Sequence, residues 1–477
     1  MLASATILSA LLLSSPNLDA VSFDPDAFLH VAIGDPMPKE FMVLDTREMV
    51  LKTRFAHEGG LYYFFEDPSA PAFNASMFVR DGRVTGTLLS RDSRVVAIDG
   101  LEPGFSTVTV HGAGAGNWCA CGSQHGLPTV DCQKHGAKSH GSDGGDGGVA
   151  GNCDEDSQVD LLLVYTDTAI AATPGGESVL LEKLALATAD MNLAFANSEI
   201  GLQIRVVGTH RLVGYFPPAQ LAEQLDDMGL NRVPGLAQLR NETHADLVAM
   251  ISRTEGTTGG IAYFIPPWNT DAHRFGFSVS GADILSLRVL THEVGHNFGG
   301  GHRPQDGGGA IVSYGYAHSF TDNNGTFQGT ALAYVGLPYP IFSTPLVNIG
   351  GVPAGIADER DNSRFFRETK IYVANYRCDE DIVCGLGGNC FTTSTSFSEP
   401  GCANATCCST VCAVDATCCT LQWDASCVQL AVDLCSACGE PTAGSCVEVH
   451  ASPSCADGLC CSKVCAADPL CCEAAWD

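Results

Sequence analysis

Residues 292–302 read HEVGHNFGGGH: three histidines, one glutamate and four glycines in eleven positions. The stretch ends a helical pattern, because in ILSLRVLTHEVGHNF (284–298) Leu287, Leu290 and Val294 fall on one stripe. Positions i and i+4 of a helix lie one turn apart on one face, so His292 and His296 can grip one metal ion from the same side. Glu293 sits about 100° round the axis, beside such an ion rather than on it. A general base that takes a proton from an attacking water belongs there. A continuing helix would carry His302 away. Gly299 solves this, since glycine adopts positive φ readily and lets the helix stop and the chain turn back. His302 then completes a three-histidine site. Zinc takes tetrahedral nitrogen ligands at about 2.0–2.1 Å, and an open fourth position distinguishes a catalytic ion from a structural one. The competing reading, a histidine-rich helix end without a metal, needs five specified positions to coincide by accident.

Outward from the motif, runs of two periods alternate. QVDLLLVYTDTA (158–169) reads as a buried strand ending in turn and cap residues. Residues 176–196 carry helical spacing through Leu180, Leu181, Leu184, Leu186, Met191 and Leu193. LQIRVVGTHRLV (202–213) and ADLVAMIS (245–252) read as strands, and GGIAYFIPP and FGFSVSG as shorter ones. Strands alternating with helices predict an α/β (α+β) layer on a mixed sheet.

HEVGHNFGGGH resembles the HExxHxxGxxH signature of the metzincin zinc endopeptidases. VDLLLVYTDTA, ADLVAMIS, GGIAYF and FSVSGADILSLRVLTHEVGHNFG resemble the reprolysin (adamalysin) type, as do YPIFSTP and DNSRFFRETKIYVANYR downstream. The resemblance covers residues 156–377. It implies His292, His296 and His302 as ligands of one Zn2+ ion and Glu293 as general base. It also implies an endopeptidase that hydrolyses peptide bonds in proteins through a zinc-activated water. The fold it implies has a mixed sheet above a cleft, an active-site helix and a smaller irregular lower half, with polypeptide substrates extended along an edge strand. Two departures stand out. Leu332 in GTALAY (329–334) occupies the place of the family's Met-turn methionine; that swap nearly conserves volume and costs under about 1.5 kcal/mol. Relatives carry a cysteine pair where this chain has Gly259 or Gly260 and Ala282, so that disulfide is absent. The alternative function is a catalytically silent binding or adhesive protein that retains the zinc site. A zinc hydrolase of non-peptide bonds is a further one.

The rest of the chain has a different character. It is 477 residues long with a net charge of −29, an acidity that excludes nucleic acid and anionic lipid as partners. Of the 23 cysteines, 19 lie in 378–477 and none between Asp154 and Arg377. That density requires an oxidising compartment. MLASATILSALLLSSPNLDA has an apolar core from Leu2 to Leu13 and a small residue, Ala20, at a cleavage point, which reads as a signal peptide over 1–20. No later segment approaches the ~20 apolar residues of a membrane span. The protein is therefore expected to be secreted and extracellular. Residues 21–155 read as a β-rich propeptide followed by a Gly/Cys-rich linker, with DG and DGLEPG turns between alternating runs. GSDGGDGG within the linker suits proteolytic maturation of a zymogen. Residues 156–377 read as the catalytic domain. In 378–477, Cys402, Cys407, Cys408, Cys412, Cys418, Cys419 and Trp423 recur 53 positions later as Cys455, Cys460, Cys461, Cys465, Cys471, Cys472 and Trp476. The second copy reads as truncated, since counterparts of Cys427, Cys435 and Cys438 would lie past Asp477. The repeats read as a disulfide framework that binds an extracellular surface or substrate.

Secondary candidates are weaker. Cys119 or Cys121 in WCACG is a candidate latency thiol on the zinc, against two disulfides within the set Cys119, Cys121, Cys132 and Cys153. His125 and His135 offer a second metal site against the same background. Tyr334, two positions beyond Leu332, reads as core packing rather than an extra ligand. Asn74, Asn241, Asn324 and Asn404 stand in glycosylation sequons. Calcium finds no support in the spacing of GSDGGDGG. Cleavage preference is expected to depend on the wall from Tyr339 to Pro345.

Overall fold

The structure is a computed structural model. It describes residues 17–111 apart from 23–24, 29, 39–47 and 90–93; 156–377 apart from 254–257, 270–271 and 307–308; and a discontinuous set between 388 and 476. Contacts divide the chain into two compact units, one holding residues 1–139 and 155–377 and the other 140–154 and 378–477.

The alternating runs of the N-terminal part form strands β1 (Asn17–Ser22), β2 (Val50–His57), β3 (Gly60–Glu66), β4 (Asn74–Arg80), β5 (Arg83–Leu89), β6 (Val95–Glu102) and β7 (Phe105–His111). They make one antiparallel sheet in the order β1-β7-β6-β5-β4-β3-β2. Two of its two-residue loops, Glu58-Gly59 and Asp81-Gly82, have all four φ angles positive, the backbone that matches strand twist. Side chains alternate as the period of two demands. Tyr63, Phe65 and Met77 pack with Phe28, Met37 and Met49 on one face. Tyr62, Phe64 and Phe78 point the other way. That second face also carries Asn74, Ser76, Thr85, Thr87 and Asp99, all polar and all buried.

A long helix is what buries them. After β8 (Gln158–Tyr165), the chain forms α1 (Asp167–Ala172), capped by the Thr166 side chain, and α2 (Gly176–Asn197). The helix α2 is buried around most of its circumference, one side on the sheet that contains β8 and the other on the N-terminal sheet. His57 lies in that second contact, its Nε2 2.7 Å from Thr188 Oγ1. Burial, and secondarily the Arg80 charge, push its pKa down from 6.5 to about 4. Glu58 and Glu182 flank the same arginine. The unfolded chain therefore takes up a proton near pH 6.5 that the folded chain refuses until about pH 4. The stabilisation is complete above pH 6.5 and lost as pH falls through that window. Melting temperature is expected to drop as pH falls from 6.5 to 4, and His57→Gln to flatten the drop; an unchanged profile in the variant would refute this assignment.

Further elements of this unit include β9 (Gln203–Arg211), α3 (Leu221–Gly229), α4 (Leu236–Glu242), β10 (Leu247–Ser252), β11 (Gly260–Ala262), β12 (Phe277–Gly281), α5 (Val289–Asn297), β13 (Ser319–Thr321), β14 (Phe327–Gly329), β15 (Leu337–Pro338) and α6 (Asn362–Val373). The expected mixed sheet has the order β11-β12-β10-β8-β9, parallel except for the edge strand β11, which runs antiparallel to β12. The short helices α3 and α4 fall in stretches for which the sequence predicts no element, and α1 begins within the turn and cap residues that end the strand expected over 158–169. The helix expected from residue 284 starts later. Ala282–Leu287 is a 3-10 turn, and Arg288 adopts φ +60° before α5 begins at Val289. The Arg288 guanidinium explains the break: it is buried, donating to Pro338 O (2.7 Å) and Asn74 Oδ1 (3.0 Å), with its Nε 3.2 Å from Asp190 Oδ2.

The other unit is stapled rather than packed. Among the described residues, disulfides join Cys390–Cys402, Cys407–Cys435, Cys418–Cys427 and Cys446–Cys455. They surround a small core in which Trp423 Nε1 donates to Cys390 O at 2.9 Å. Helices α7 (Ala425–Cys435) and α8 (Gly458–Ala467) belong to it. Bonds recur at the spacing of the sequence repeat. Gly401 N donates to Cys418 O and Ser454 N to Cys471 O, each at 2.7 Å. Cys407 N donates to Asn404 Oδ1 at 3.0 Å, and Cys460 N to Asp457 Oδ1 at 2.9 Å.

Candidate metal centre

Helix α5 presents His292 and His296 one turn apart, ring centroids 4.8 Å from each other. The helix ends as the glycines require. Gly299 has φ +85°, and Gly300 N donates back to Gly295 O at 3.0 Å. A Cβ at Gly299 would also stand 2.7 Å from Phe365 and 2.8 Å from Ile311, so the position needs glycine for space as well as for conformation. The chain then returns, and His302 comes to 4.4 Å from His296 and 5.1 Å from His292, centroid to centroid. One ring nitrogen from each of the three lies within 4.8 Å of the other two, and all three residues are buried.

Hydrogen bonds set which nitrogen is available. His292 Nδ1 donates to Ala331 O and His296 Nδ1 to Gly300 O, both at 2.8 Å. A carbonyl only accepts, so these two rings carry their proton on Nδ1 and keep a lone pair on Nε2. Burial holds both rings well towards the neutral form, His296 down to about 4. Burial, and then the two neighbouring rings, do the same to His302. Whether the residues fit a metal follows from those lone pairs. His296 Nε2 is buried without a hydrogen-bond partner, and His292 Nε2 stands 3.1 Å from His302 Nε2. Two nitrogens on one tetrahedral zinc lie about 3.3–3.4 Å apart. Three neutral, buried imidazoles converging at that spacing can hold a divalent ion.

Three residues around the site, Gly260, Tyr334 and Phe264, were less legible. Glu293 is fully buried and lies against the backbone of β11: a Cβ at Gly260 would stand 2.4 Å from its Oε1. Tyr334 joins the cluster rather than a remote core. Its hydroxyl is 3.2 Å from His302 Nδ1, and its ring stacks on His292 at 5.7 Å. Phe264, 39% exposed, stands edge-on to His296 at 6.0 Å and marks the side where the site meets solvent. A tyrosine two places past Leu332 was the sequence signal for Tyr334; Gly260 and Phe264 had none.

Leu332 occupies the floor. It is fully buried, and a Cβ at Gly300 or Gly295 would stand 2.4 or 3.1 Å from its methyl groups. The branched side chain fills the space left by the two glycines. Leu332→Met is expected to change unfolding free energy by less than about 1.5 kcal/mol, and Leu332→Ala to cost about 2–5 kcal/mol, both read by denaturant melts. A loss of several kcal/mol in the methionine variant would contradict equal filling.

Other sequence candidates fare differently. Cys119, Cys121, His125 and His135 lie outside the described residues. Asn74 is fully buried, donates to Ala72 O and accepts from Arg288, so in the folded chain it is no accessible sequon. Tyr339 turns from the expected pocket wall, its hydroxyl donating to Glu66 Oε2 at 3.0 Å. Among the described residues no helix is long and apolar enough to cross a membrane.

Residues 182–303 match the family described as Metallo-peptidase family M12B Reprolysin-like. The chain is 26% identical over 234 residues to a protein named peptidyl-Asp metalloendopeptidase from Stenotrophomonas maltophilia, covering 46% of this chain and 52% of that one. It is also 26% identical over 276 residues to a protein of the same name from Pseudomonas aeruginosa, covering 52% and 45%. The chain thus spans about half the length of the curated relatives it matches. Among solved structures, metalloproteinase-II from Bacteroides fragilis aligns over 64% of this chain and 92% of its own, with TM-score 0.34 and 10% identity, too loosely to bear on function.

Proposed function

We propose that this chain, a metzincin metallopeptidase of the reprolysin-like type, is a secreted zinc-dependent endopeptidase acting on polypeptides. The observation that carries the reading is the convergence of three buried, neutral imidazoles with a buried carboxylate one residue along the same helix. His292, His296 and His302 are the ligands. Zinc, when bound, polarises the scissile carbonyl and acidifies water. Glu293 accepts the proton of the attacking water and returns it to the leaving amine. Ala331 O and Gly300 O fix the tautomers of two ligands, and Tyr334 holds the outer nitrogen of the third. The antiparallel edge strand β11, which backs Glu293, is the strand along which an extended peptide lies. The aspartyl preference in the relatives' names extends to this chain as part of the proposal.

Secretion is supported by the disulfides, which need an oxidising compartment. Residues 21–155 are proposed as a propeptide with its linker, 156–377 as the catalytic domain, and 378–477 as an accessory module that binds substrate or an extracellular surface. The test is casein hydrolysis by protein cut in the linker, with bound zinc counted before and after chelation. Activity that disappears with the metal and returns with added zinc supports the reading, and fragment termini beside aspartate would support the preference. Full zinc occupancy without hydrolysis of any polypeptide would leave the silent binding protein in its place.

A further inference from the structure

We propose that the N-terminal seven-stranded sheet is a permanent non-covalent partner of the 156–377 part: cutting the chain between them does not release it. The contact surface is the sheet face that covers α2. That helix carries Glu182, Lys183 and Asp190 buried at 5%, 7% and 4% exposure, an unusual load for one helix. Each finds its counter-group on the sheet. Arg80 donates twice to Glu182 Oε1, at 3.1 and 3.0 Å. Asp99 lies 3.4 Å from Lys183 Nζ. Tyr62 donates to Asp190 Oδ1 at 2.5 Å. The seam continues to the active-site helix, because Arg288, immediately before Val289, donates to Asn74 Oδ1 and Ser76 Oγ of β4 at 3.0 and 3.3 Å. It ends at Glu66, which accepts from Tyr339.

Between these polar contacts the surface is apolar. Phe64 and Phe78 pack with Ala185, Leu186, Leu193 and Ile341 in one buried cluster. The two kinds of contact act together. Lifting the sheet away would bare a contiguous apolar patch, which soluble proteins rarely expose. It would also strip partners from charges that are tolerated when buried only because they are paired. A polar seam alone would be open to rehydration and salt; the apolar cluster between its members keeps it closed. The sheet also holds the residue that starts α5, so its loss would reach the helix that bears His292 and His296. The inference does not rest on the histidine site being catalytic, because its readout is association.

The experiment uses the full chain carrying Glu293→Ala, with the recognition sequence of a site-specific protease placed in the glycine tract 141–148. After complete cutting, both fragments are expected to elute together in native size-exclusion chromatography, at low salt and at about 1 M NaCl, where exposed ion pairs are screened. They should stay together on dilution to about 10 nM, which only an interface of nanomolar or tighter Kd survives, and part in denaturant. Elution of the C-terminal fragment by itself, folded and with its zinc, would overturn the proposal. Phe78→Ala in the same cut protein is expected to weaken association at least about tenfold; unchanged affinity would overturn the assignment to this face.

Discussion

Glu293→Ala is expected to lower casein hydrolysis by about 10²–10⁴-fold, the range that a positioned general base contributes, with bound zinc unchanged. The reason is geometric. Glu293 follows His292 on α5 and its carboxylate lies against Gly260 of β11, while the converging nitrogens belong to three other residues. On the proposed roles, removing it takes away a proton acceptor and no ligand. Its burial strengthens the case, because a carboxylate taken fully out of water is costly to keep and destabilises a fold that has no use for it. Zinc counting and kcat/KM on the same preparations separate the outcomes. Hydrolysis within a few-fold of wild type would end the proposed role. Loss of zinc together with activity would make Glu293 part of the metal-holding structure instead.

Gly260→Ala is expected to reduce kcat by about a hundredfold, the cost of displacing a catalytic group by about 1 Å, again with zinc retained. A Cβ there would stand 2.4 Å from Glu293 Oε1 and 2.7 Å from its Cδ and Cγ, closer than real contacts allow. Something has to move. On one side is a side chain on a buried helix, on the other a three-residue edge strand whose only strand partner among the described residues is β12. Whichever yields, the distance between the carboxylate and a peptide lying along β11 changes. The double variant Gly260→Ala with Glu293→Ala discriminates, since residues acting as a unit are not additive. It should be no slower than Glu293→Ala by itself. A further hundredfold loss in the double variant would mean that Gly260 acts through the fold and not through Glu293.

Much of the site was legible because it lies along one element. The spacing of His292 and His296 is helix geometry, and the turn that returns His302 is the positive φ of Gly299, a property of the residue itself. The N-terminal hairpins follow from the same kind of local chemistry: Asp81-Gly82 adopts the left-handed pair of φ values that a two-residue loop needs. The strands of the mixed sheet were legible as apolar runs, although β11 shrank to three residues.

What could not be read were relations between residues far apart in the chain. Leu287 shares the periodicity of Leu290 and Val294, yet the helix starts only at Val289, because Arg288 is drawn to Asn74, 214 positions earlier. Tyr334 reaches His302 and Gly260 backs Glu293 through packing, not spacing. One polar face of the N-terminal sheet is buried because α2 brings the matching charges. The sequence by itself determined the histidine-bearing helix, its glycine stop and the alternation of the strands, since backbone geometry imposes these over a few residues. Only the tertiary structure decided where that helix begins, what packs against Glu293 and which polar face leaves water, since those depend on which surfaces meet.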